Sequence, residues 1–334
     1  MIKRKSIILS GMRPTGELHL GHYFSVLKNW IELQNSYRCF FMIANLHALT
    51  TFEETAQIKK NTIKMAALWL AAGLDPKKST LFVQSEVPEH SELAVILGMI
   101  SPLSLLELNP TYKEMKMEHP KSNTLGLLSY PVLQAADILL YKAERVPIGK
   151  DQEPHLELAR ELAHRFNHRF SPKKGINGEI FKEPAALFGK TAKIMSLQDP
   201  AKKMSKSADK NSYISLLDSP EKIRHKIKRA VTDSGREIKY SAQKPALSNL
   251  ITLYQLAADK SREEIEKKFK GFGYKEFKEK LAEEIIGFLT PLQKRQQKLM
   301  KNPDKIRKIL ENGSKTARKT AGRTLAEIKK TIGI

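Results

Sequence analysis

Near its start the chain contains the stretch Ile7-Ile8-Leu9-Ser10-Gly11-Met12-Arg13-Pro14-Thr15-Gly16-Glu17-Leu18-His19-Leu20-Gly21-His22. Its first apolar residues predict a buried strand, its glycines and proline predict a turn, and a helical period begins near Tyr23. This arrangement suits phosphate, because free backbone N–H groups and the positive end of the helix dipole meet at the turn. His19 and His22 are three residues apart, so both can face one side of the opening helical turn.

Strand-like and helix-like segments alternate beyond this stretch. The predicted strands cover residues 7–9, 39–44, 80–84, 145–148 and 194–197. The helices predicted between them cover residues 23–34, 58–72 and 89–100. Because strands that alternate with helices form parallel sheets covered on both faces, we expect a doubly wound α/β fold.

The remainder of the chain is dominated by helical patterns. Residues 103–170 are mostly helical, residues 172–189 favour a loop, and the region beyond 219 is helical throughout. Its predicted helices cover residues 220–231, 247–258, 262–269, 274–300 and 305–331. We therefore expect an α/β catalytic domain over residues 1–207, with a helical insertion at about 103–172, and an all-helical domain over residues 208–334.

Composition and charge narrow the class of protein. The chain has 334 residues and a formal net charge of +22, of which residues 1–190 carry +5 and residues 191–334 carry +17. An excess of this size in one part indicates a polyanionic partner, with solubility as the simpler alternative. The single cysteine, Cys39, argues against a disulfide framework or a multi-cysteine zinc site. No leader or membrane-spanning run is visible, so we expect a cytoplasmic protein without a membrane partner.

A second short segment, Lys203-Met204-Ser205-Lys206-Ser207, adds chemistry to the first. It places two lysines three residues apart, with small hydroxyl side chains beside them. A loop with two ammonium groups can close on the β- and γ-phosphates of ATP and neutralise the charge on departing pyrophosphate. A lysine-rich surface loop is the simpler alternative in a chain this basic.

In this order the two segments resemble the H-x-G-H and K-M-S-K-S signatures of class I aminoacyl-tRNA synthetases. Further similarity to the tryptophanyl-tRNA synthetases lies in residues 43–50, 130–141, 146–160, 195–197 and 231–234. The resemblance runs essentially from end to end. It implies a Rossmann-like, HUP-type catalytic domain and a helical domain that binds the tRNA anticodon region. It also implies a homodimer.

The implied reaction is ATP-dependent ligation of L-tryptophan to tRNA(Trp) through a tryptophanyl-adenylate. The resemblance implies Mg²⁺ on the ATP phosphates and no zinc or other structural metal. It assigns catalysis to His19, His22, Lys203 and Lys206. It assigns ATP binding to Arg13, Pro14, Thr15, Gly21, His22, Gly149, Lys150, Asp151, Ile194, Lys203, Met204, Ser205, Lys206 and Ser207. It assigns tryptophan binding to Asp137, Tyr130, Gln152, His47, Gln134 and Gly11.

Asp137 carries the expected choice of amino acid. It interrupts an otherwise apolar helical run, and a buried carboxylate needs a hydrogen-bond donor. In the family the matching aspartate accepts the indole N–H, a donor that phenylalanine lacks and tyrosine places differently. A structural aspartate bonded to backbone is the alternative reading.

Four positions depart from the commonest bacterial pattern of this family. Gln134 stands where a methionine often packs on the indole, and Asn45 stands where an aspartate is frequent. Lys150 replaces a glutamate beside the expected ATP site, and Lys193 replaces an arginine. These departures leave every chemical group of the reaction in place and bear on substrate affinity.

Other readings stay open at this point. A tyrosyl-tRNA synthetase shares both motifs, a non-catalytic RNA-binding paralogue could keep the fold, and a small-substrate nucleotidyltransferase could share the first motif. Separately, His164 and His168 lie four residues apart, with Glu161 nearby, at metal-ligand spacing. No further cysteine or histidine cluster in the sequence completes that set, so a solvated helix face is the expected reading.

Overall fold

A computed structural model describes residues 5–51, 54–118, 123–171, 179–189, 193–205 and 209–334, without the side chains of residues 118 and 151. Within it, five parallel strands form one sheet in the order β3-β2-β1-β4-β5. The strands are β1 (Ile7–Met12), β2 (Arg38–Ile43), β3 (Ser79–Val83), β4 (Arg145–Ile148) and β5 (Ala185–Phe188). The doubly wound α/β prediction is confirmed.

Helices cover both faces of this sheet and form the second half of the molecule. The first half contains α1 (Leu20–His22), α2 (Lys28–Ser36), α3 (Asn45–Ala48), α4 (Ile58–Ala72), α5 (Glu89–Gly98), α6 (Leu103–Glu107), α7 (Pro110–Glu118), α8 (Leu125–Leu140) and α9 (Glu153–Phe170). A π-helical stretch, Tyr23–Leu27, joins α1 to α2. The second half contains α10 (Pro220–Arg229), α11 (Pro245–Ala258), α12 (Arg262–Lys268), α13 (Tyr274–Met300) and α14 (Pro303–Ile332).

The two faces of the sheet carry separate hydrophobic cores. Along β2, Phe41 and Ile43 belong to one core and Phe40 and Met42 to the other, as the two-residue period of a strand requires. The first core also contains buried residues of α2, α4 and of helices α10 to α13. The helical second half therefore packs on the catalytic sheet through a shared apolar interior.

The edge next to β4 corrects one sequence-based expectation. Residues 172–189 were expected to form a loop, but Ala185–Phe188 is the edge strand β5, which pairs in parallel with β4. Only four residues pair, and their half-exposed pattern lacks the apolar run of a buried strand. The pairing thus depends on the tertiary position of the segment.

The segment before the lysine motif is a second correction. Residues 194–197 were predicted to be a strand, but Met195 makes only one isolated antiparallel bridge, with Lys203. The apolar side chains Ile194 and Leu197 are buried in the first core. Burial accounts for the apolar pattern, and no neighbouring strand extends the pairing in the described residues.

The last helix, α14, crosses the opposite edge of the sheet. Its residues Ile306 and Leu310 belong to the first core, while Ala317 and Ala321 belong to the second. At the crossing point a Cβ on Gly313 would stand 1.8 Å from the Leu81 carbonyl oxygen of β3. Only a glycine lets the helix backbone approach the strand this closely.

Candidate active site

The first histidine motif and the turn at Gly149 lie where the strand order reverses, between β1 and β4. Ligands of open α/β sheets bind at this switch point, outside the carboxyl ends of the strands. Strand β1 leads directly into the glycine turn and the histidines, and β4 leads into the helical turn Lys150–Gln152. The Ser10 hydroxyl donates a hydrogen bond to the Pro147 carbonyl (3.4 Å), which holds the two strand ends together.

Backbone pairing brings the two distant motifs to the same place. The Leu20 N–H donates to the Ile214 carbonyl (3.0 Å), and the Leu216 N–H donates to the Leu18 carbonyl (2.9 Å). The Ser215 hydroxyl adds a 2.6 Å hydrogen bond to the Glu17 carboxylate. The segment that follows the lysine motif is therefore fastened to the first histidine.

The two histidine rings lie in contact at the start of α1, tilted by 44°. Their ring centroids are 3.8 Å apart, and His19 is 4% exposed. The His19 backbone N–H donates to Nδ1 of His22 (3.3 Å), so a neutral His22 carries its proton on Nε2. That ring nitrogen is a hydrogen-bond donor, as the sequence interpretation requires at a phosphate.

Gly21 is needed here for a reason that the sequence did not reveal. The family resemblance assigned it to ATP binding. In the structure a Cβ at this position would stand 2.8 Å from Nδ1 and Cε1 of His19, and 3.8 Å from Cβ of Met204. The absent side chain makes room for the His19 ring.

Met204 anchors the lysine motif to the body of the protein. It is 6% exposed and packs in the first core, and its N–H donates to the Ile194 carbonyl (3.0 Å). Lys203 is exposed beside it. The motif thus combines a fixed apolar centre with a solvent-facing cation.

Asn249 of α11 is a further residue at this loop, which the sequence did not point out. Its amide oxygen accepts the Met195 N–H (2.9 Å), and its amide nitrogen donates to the Met195 carbonyl (3.0 Å). Asn249 is 5% exposed. Because both backbone groups of Met195 are satisfied by one side chain, α11 sets the position of the segment that leads into Lys203.

Asp137 lies at the centre of a buried hydrogen-bond network. It is 1% exposed, and an ionised carboxylate can only accept, so its histidine neighbours are the donors. His47 Nε2 donates to Oδ2 (2.8 Å), and His90 Nδ1 donates to Oδ1 (2.5 Å). Burial would raise the pKa of Asp137, but attraction to His90 and His47 and their hydrogen bonds outweigh burial and lower that pKa to about 2.

Gln84 and His90 complete this network, and neither was expected from the sequence. The Gln84 amide nitrogen donates to both carboxylate oxygens (2.9 and 3.0 Å), while its oxygen accepts the backbone N–H groups of Leu46 and His47. His90 Nε2 lies 2.9 Å from the Tyr141 hydroxyl. A usable signal existed for Gln84, because it directly follows β3 at the carboxyl edge of the sheet, where site residues concentrate.

Tyr130 and Arg13 lie at the mouth of the cleft. The Tyr130 hydroxyl is 2.7 Å from His155 Nε2, and burial raises the pKa of Tyr130 to about 12 despite the opposing charge of Arg13. Arg13 donates to the Thr51 hydroxyl (3.3 Å). Its surface is exposed, yet neighbouring protein desolvates the guanidinium enough to lower its pKa.

Comparison with known proteins places this geometry in a family. The model of the class I tRNA synthetases for tryptophan and tyrosine matches residues 1–290. The tryptophan–tRNA ligase of Clostridium tetani is 44% identical, over 100% of this chain and 97% of the relative. The chain belongs to the tryptophanyl-tRNA synthetase family.

Solved structures of tryptophanyl-tRNA synthetases agree with this assignment. The Mycoplasma pneumoniae structure has a TM-score of 0.87 at 32% identity, covering 99% of this chain and 98% of the other. The Campylobacter jejuni structure, a complex with ADP and tryptophan, has a TM-score of 0.85 at 34% identity, covering 98% and 100%. Full-length similarity to tryptophan enzymes decides between the two branches that share the family model.

The remaining predicted residues surround these two centres. Gln134 lies on α8 one helical turn before Asp137, and Gly149 and Gln152 flank the turn after β4. A Cβ on Gly11 would stand 3.0 Å from the Met42 carbonyl, so the strand end fits tightly against β2. The predicted residues Lys206 and Ser207, and the side chain of Asp151, lie outside the described part of the chain.

His164 and His168 do not belong to either centre. Both are exposed on α9, with ring centroids 6.3 Å apart. In the described ranges, no group of three histidine, cysteine, aspartate or glutamate side chains is arranged to hold a metal ion.

Proposed function

We propose that the protein activates L-tryptophan with ATP and joins it to tRNA(Trp). The observation that carries the proposal is that the histidine turn, with the segment after the lysine motif paired beside it, and the Asp137 network lie at the carboxyl ends of the neighbouring strands β1, β2 and β3. Each belongs to a different part of the chain. Together they form a cleft that binds ATP at one end and an amino acid at the other.

The first step needs positioning and charge stabilisation. The tryptophan carboxylate attacks the α-phosphorus of ATP, and the bond to the pyrophosphate oxygen breaks. The carboxylate is ionised at neutral pH, so no general base is required. His19, His22, Lys203 and Lys206 stabilise the charge that develops on the phosphates. The adenylate then passes to the 3′ end of the tRNA.

Asp137 selects the amino acid in this proposal. A carboxylate has about four acceptor positions. His47 and His90 each use one, and the Gln84 amide nitrogen is shared between the two oxygens. In this proposal the indole N–H takes an acceptor position that the Gln84 amide shares. Because the network holds the carboxylate ionised and oriented, an amino acid without that N–H leaves an unmade buried hydrogen bond.

Mg²⁺ is expected to enter with ATP. Among the described residues assigned to ATP, the charged and aromatic side chains are imidazole, ammonium and guanidinium groups, and the side-chain oxygens are the Thr15 and Ser205 hydroxyls. Mg²⁺ is usually bound through one or two carboxylates together with phosphate oxygens. These residues do not fit a protein-held magnesium site, and we assign none of them to the ion. Phosphate oxygens and water are its ligands in this proposal.

The proposal extends to the binding partners of the protein and to its cellular compartment. We expect the basic helical region, residues 208–334, to bind tRNA, and we expect a cytoplasmic homodimer. Val95, Met99, Leu103 and Leu108, on and beside α5 and α6, are between 59% and 77% exposed, and this apolar surface supports a contact with a second copy. None of the described helices is long and apolar enough to cross a membrane.

The deciding experiment is ATP–pyrophosphate exchange with each of the twenty amino acids, followed by charging of tRNA(Trp). Exchange that depends on tryptophan supports the proposal, and exchange with tyrosine alone contradicts it. Charging should fall steeply with salt, because neutralised phosphates release counterions, while exchange without tRNA should change little. Equal salt sensitivity in both assays would mean that the positive charge has another purpose.

A further inference from the structure

One face of α14 carries a continuous row of cations. The row consists of Lys305, Lys308, Lys315, Lys319, Arg323 and Lys330. Their spacings are three, seven, four, four and seven residues, which places all six on one side of the helix. The row extends over roughly 38 Å at the rise of an α-helix. The opposite face holds the buried residues of α14, so the row points to solvent.

Two of the three other cations of α14 have a different role. Arg318 pairs with Glu89 (3.1 Å), and Lys329 pairs with Glu92, so both fasten the helix to α5. By contrast, no carboxylate in the described part of the chain lies within 4.0 Å of any member of the row. The row therefore contributes no ion pair to the fold seen here.

The row is unfavourable for the isolated protein. Lys315, Lys319 and Arg323 are successive neighbours at four-residue spacing, and like charges at this spacing destabilise a helix by about 0.2–0.5 kcal/mol per pair. A partner that supplies regularly spaced negative charge removes this repulsion. Nucleic acid backbones have that chemistry.

The position of α14 relates the row to the catalytic cleft. Near its start, Leu310 and Glu311 line a cavity of about 610 Å³ together with Leu46 and Val83, at the carboxyl edge of the sheet. Near its end, Glu327 accepts from Lys142 (2.6 Å), at the amino edge of the sheet. The row thus leads from the edge that holds the active site to the opposite edge.

We infer that this row is a phosphate-binding surface for the backbone of the tRNA, on the flank of the catalytic sheet and separate from α10 to α13. The inference rests on the proposed ligation of tryptophan to tRNA. It divides the basic region in two: α14 supports the body of the tRNA along the first half, and the helices before it remain available for the anticodon region.

The test uses the full-length triple variant Lys308→Gln, Lys315→Gln, Lys319→Gln. Glutamine keeps helix propensity and removes only charge. The tRNA(Trp) dissociation constant, measured by fluorescence anisotropy from 50 to 300 mM salt, should rise about tenfold at the lowest salt. The slope of log K against log[salt] should fall by about 2 to 3, as three lost phosphate contacts require. Pyrophosphate exchange should be unchanged.

A matched control removes the same charge elsewhere, with exposed lysines Lys28, Lys77 and Lys182 changed to glutamine. Its salt slope should change by less than about 1. A second variant, Lys→Arg at the three α14 positions, should keep both affinity and slope. A wild-type slope in the glutamine variant, or equal losses in variant and control, overturns the inference. Failure of the proposed function is distinguishable, because the wild-type protein would then not charge tRNA(Trp) in the parallel assay.

Discussion

The two ends of the cleft are built in different ways. At the proposed amino-acid end, Asp137, Gln84 and His90 are almost completely buried, and the last two are hydrogen-bonded to Asp137. At the proposed ATP end, Lys203 is exposed, and its loop is held through backbone groups by Met204 and Asn249.

The difference follows from what each end must do. Selection of one amino acid needs a fixed acceptor in a dry environment, where an unmade hydrogen bond costs most. Stabilisation of departing pyrophosphate needs cations that reach charge as it develops, so they belong on a loop that a rigid scaffold holds at its base. Four changes test this contrast, beginning with the largest expected effect.

Replacement of Asp137 by alanine should damage the amino-acid end most. His47, His90 and Gln84 would lose their shared acceptor, and breaking a buried charged network costs about 3–5 kcal/mol of the free energy of unfolding. In protein that remains folded, tryptophan KM should rise and discrimination should fall, with ATP KM nearly unchanged. Thermal melting and exchange kinetics measure both. An unchanged tryptophan KM in a destabilised protein would show that Asp137 is purely structural.

Replacement of Lys206 by alanine should slow adenylate formation more than it weakens ATP binding. Its charge is needed in the transition state, so kcat for adenylate formation should fall about a hundredfold, corresponding to about 3 kcal/mol, with a smaller change in ATP KM. Stability should hardly change. Single-turnover kinetics and ATP titration separate the two effects. A large rise in ATP KM with kcat intact would contradict this role.

Acid should reduce the stability that Asp137 contributes, over a defined pH range. The pKa of Asp137 is lowered to about 2, so its ionised form contributes stability that is complete above its ordinary pKa and disappears as the pH falls through about 2. Asp137→Asn removes that titration. Between pH 4 and pH 2 the wild-type protein should lose about 2 kcal/mol more than the variant. The free energy of unfolding of both proteins is measured with urea across this range. If it changes equally with pH in the wild type and the variant, the lowered pKa is refuted.

Removal of the Asn249 side chain should loosen the base of the lysine loop. Asn249→Ala leaves the N–H and carbonyl of Met195 without their protein partner, and kcat for exchange should fall about tenfold, or about 1.4 kcal/mol, with tryptophan KM unchanged. Thr252→Ala is the control, because its hydroxyl donates to the Ser248 carbonyl within α11. Equal effects of the two changes would remove Asn249 from the positioning role.

Much of the fold could be predicted because its signals are local. The apolar period of β1 to β3 and of the long helices is visible in short windows, and the predicted segments agree with the structure to within a few residues. The errors fall where pairing is not local. Strand β5 has four residues with no burial pattern, and the segment at Met195 is apolar because it enters a core and not because it joins the sheet.

The site residues also divide into those with a local sequence signal and those without one. His19, His22 and Lys203 could be named from compact motifs, and the resemblance named Asp137 and His47. Gln84, His90 and Asn249 were missed because each is a single common residue whose role depends on contacts 37 to 54 positions away in sequence.

By itself, the sequence determined the parallel α/β core, the basic helical region and the chemical groups for work on ATP, because periodicity, charge and short motifs are properties of neighbouring residues. Only the tertiary structure decided which donors hold Asp137, which helix carries the lysine loop, and that α14 returns to cover the sheet edge at Gly313. These depend on distances between segments that are far apart in the chain, and no local pattern encodes such distances.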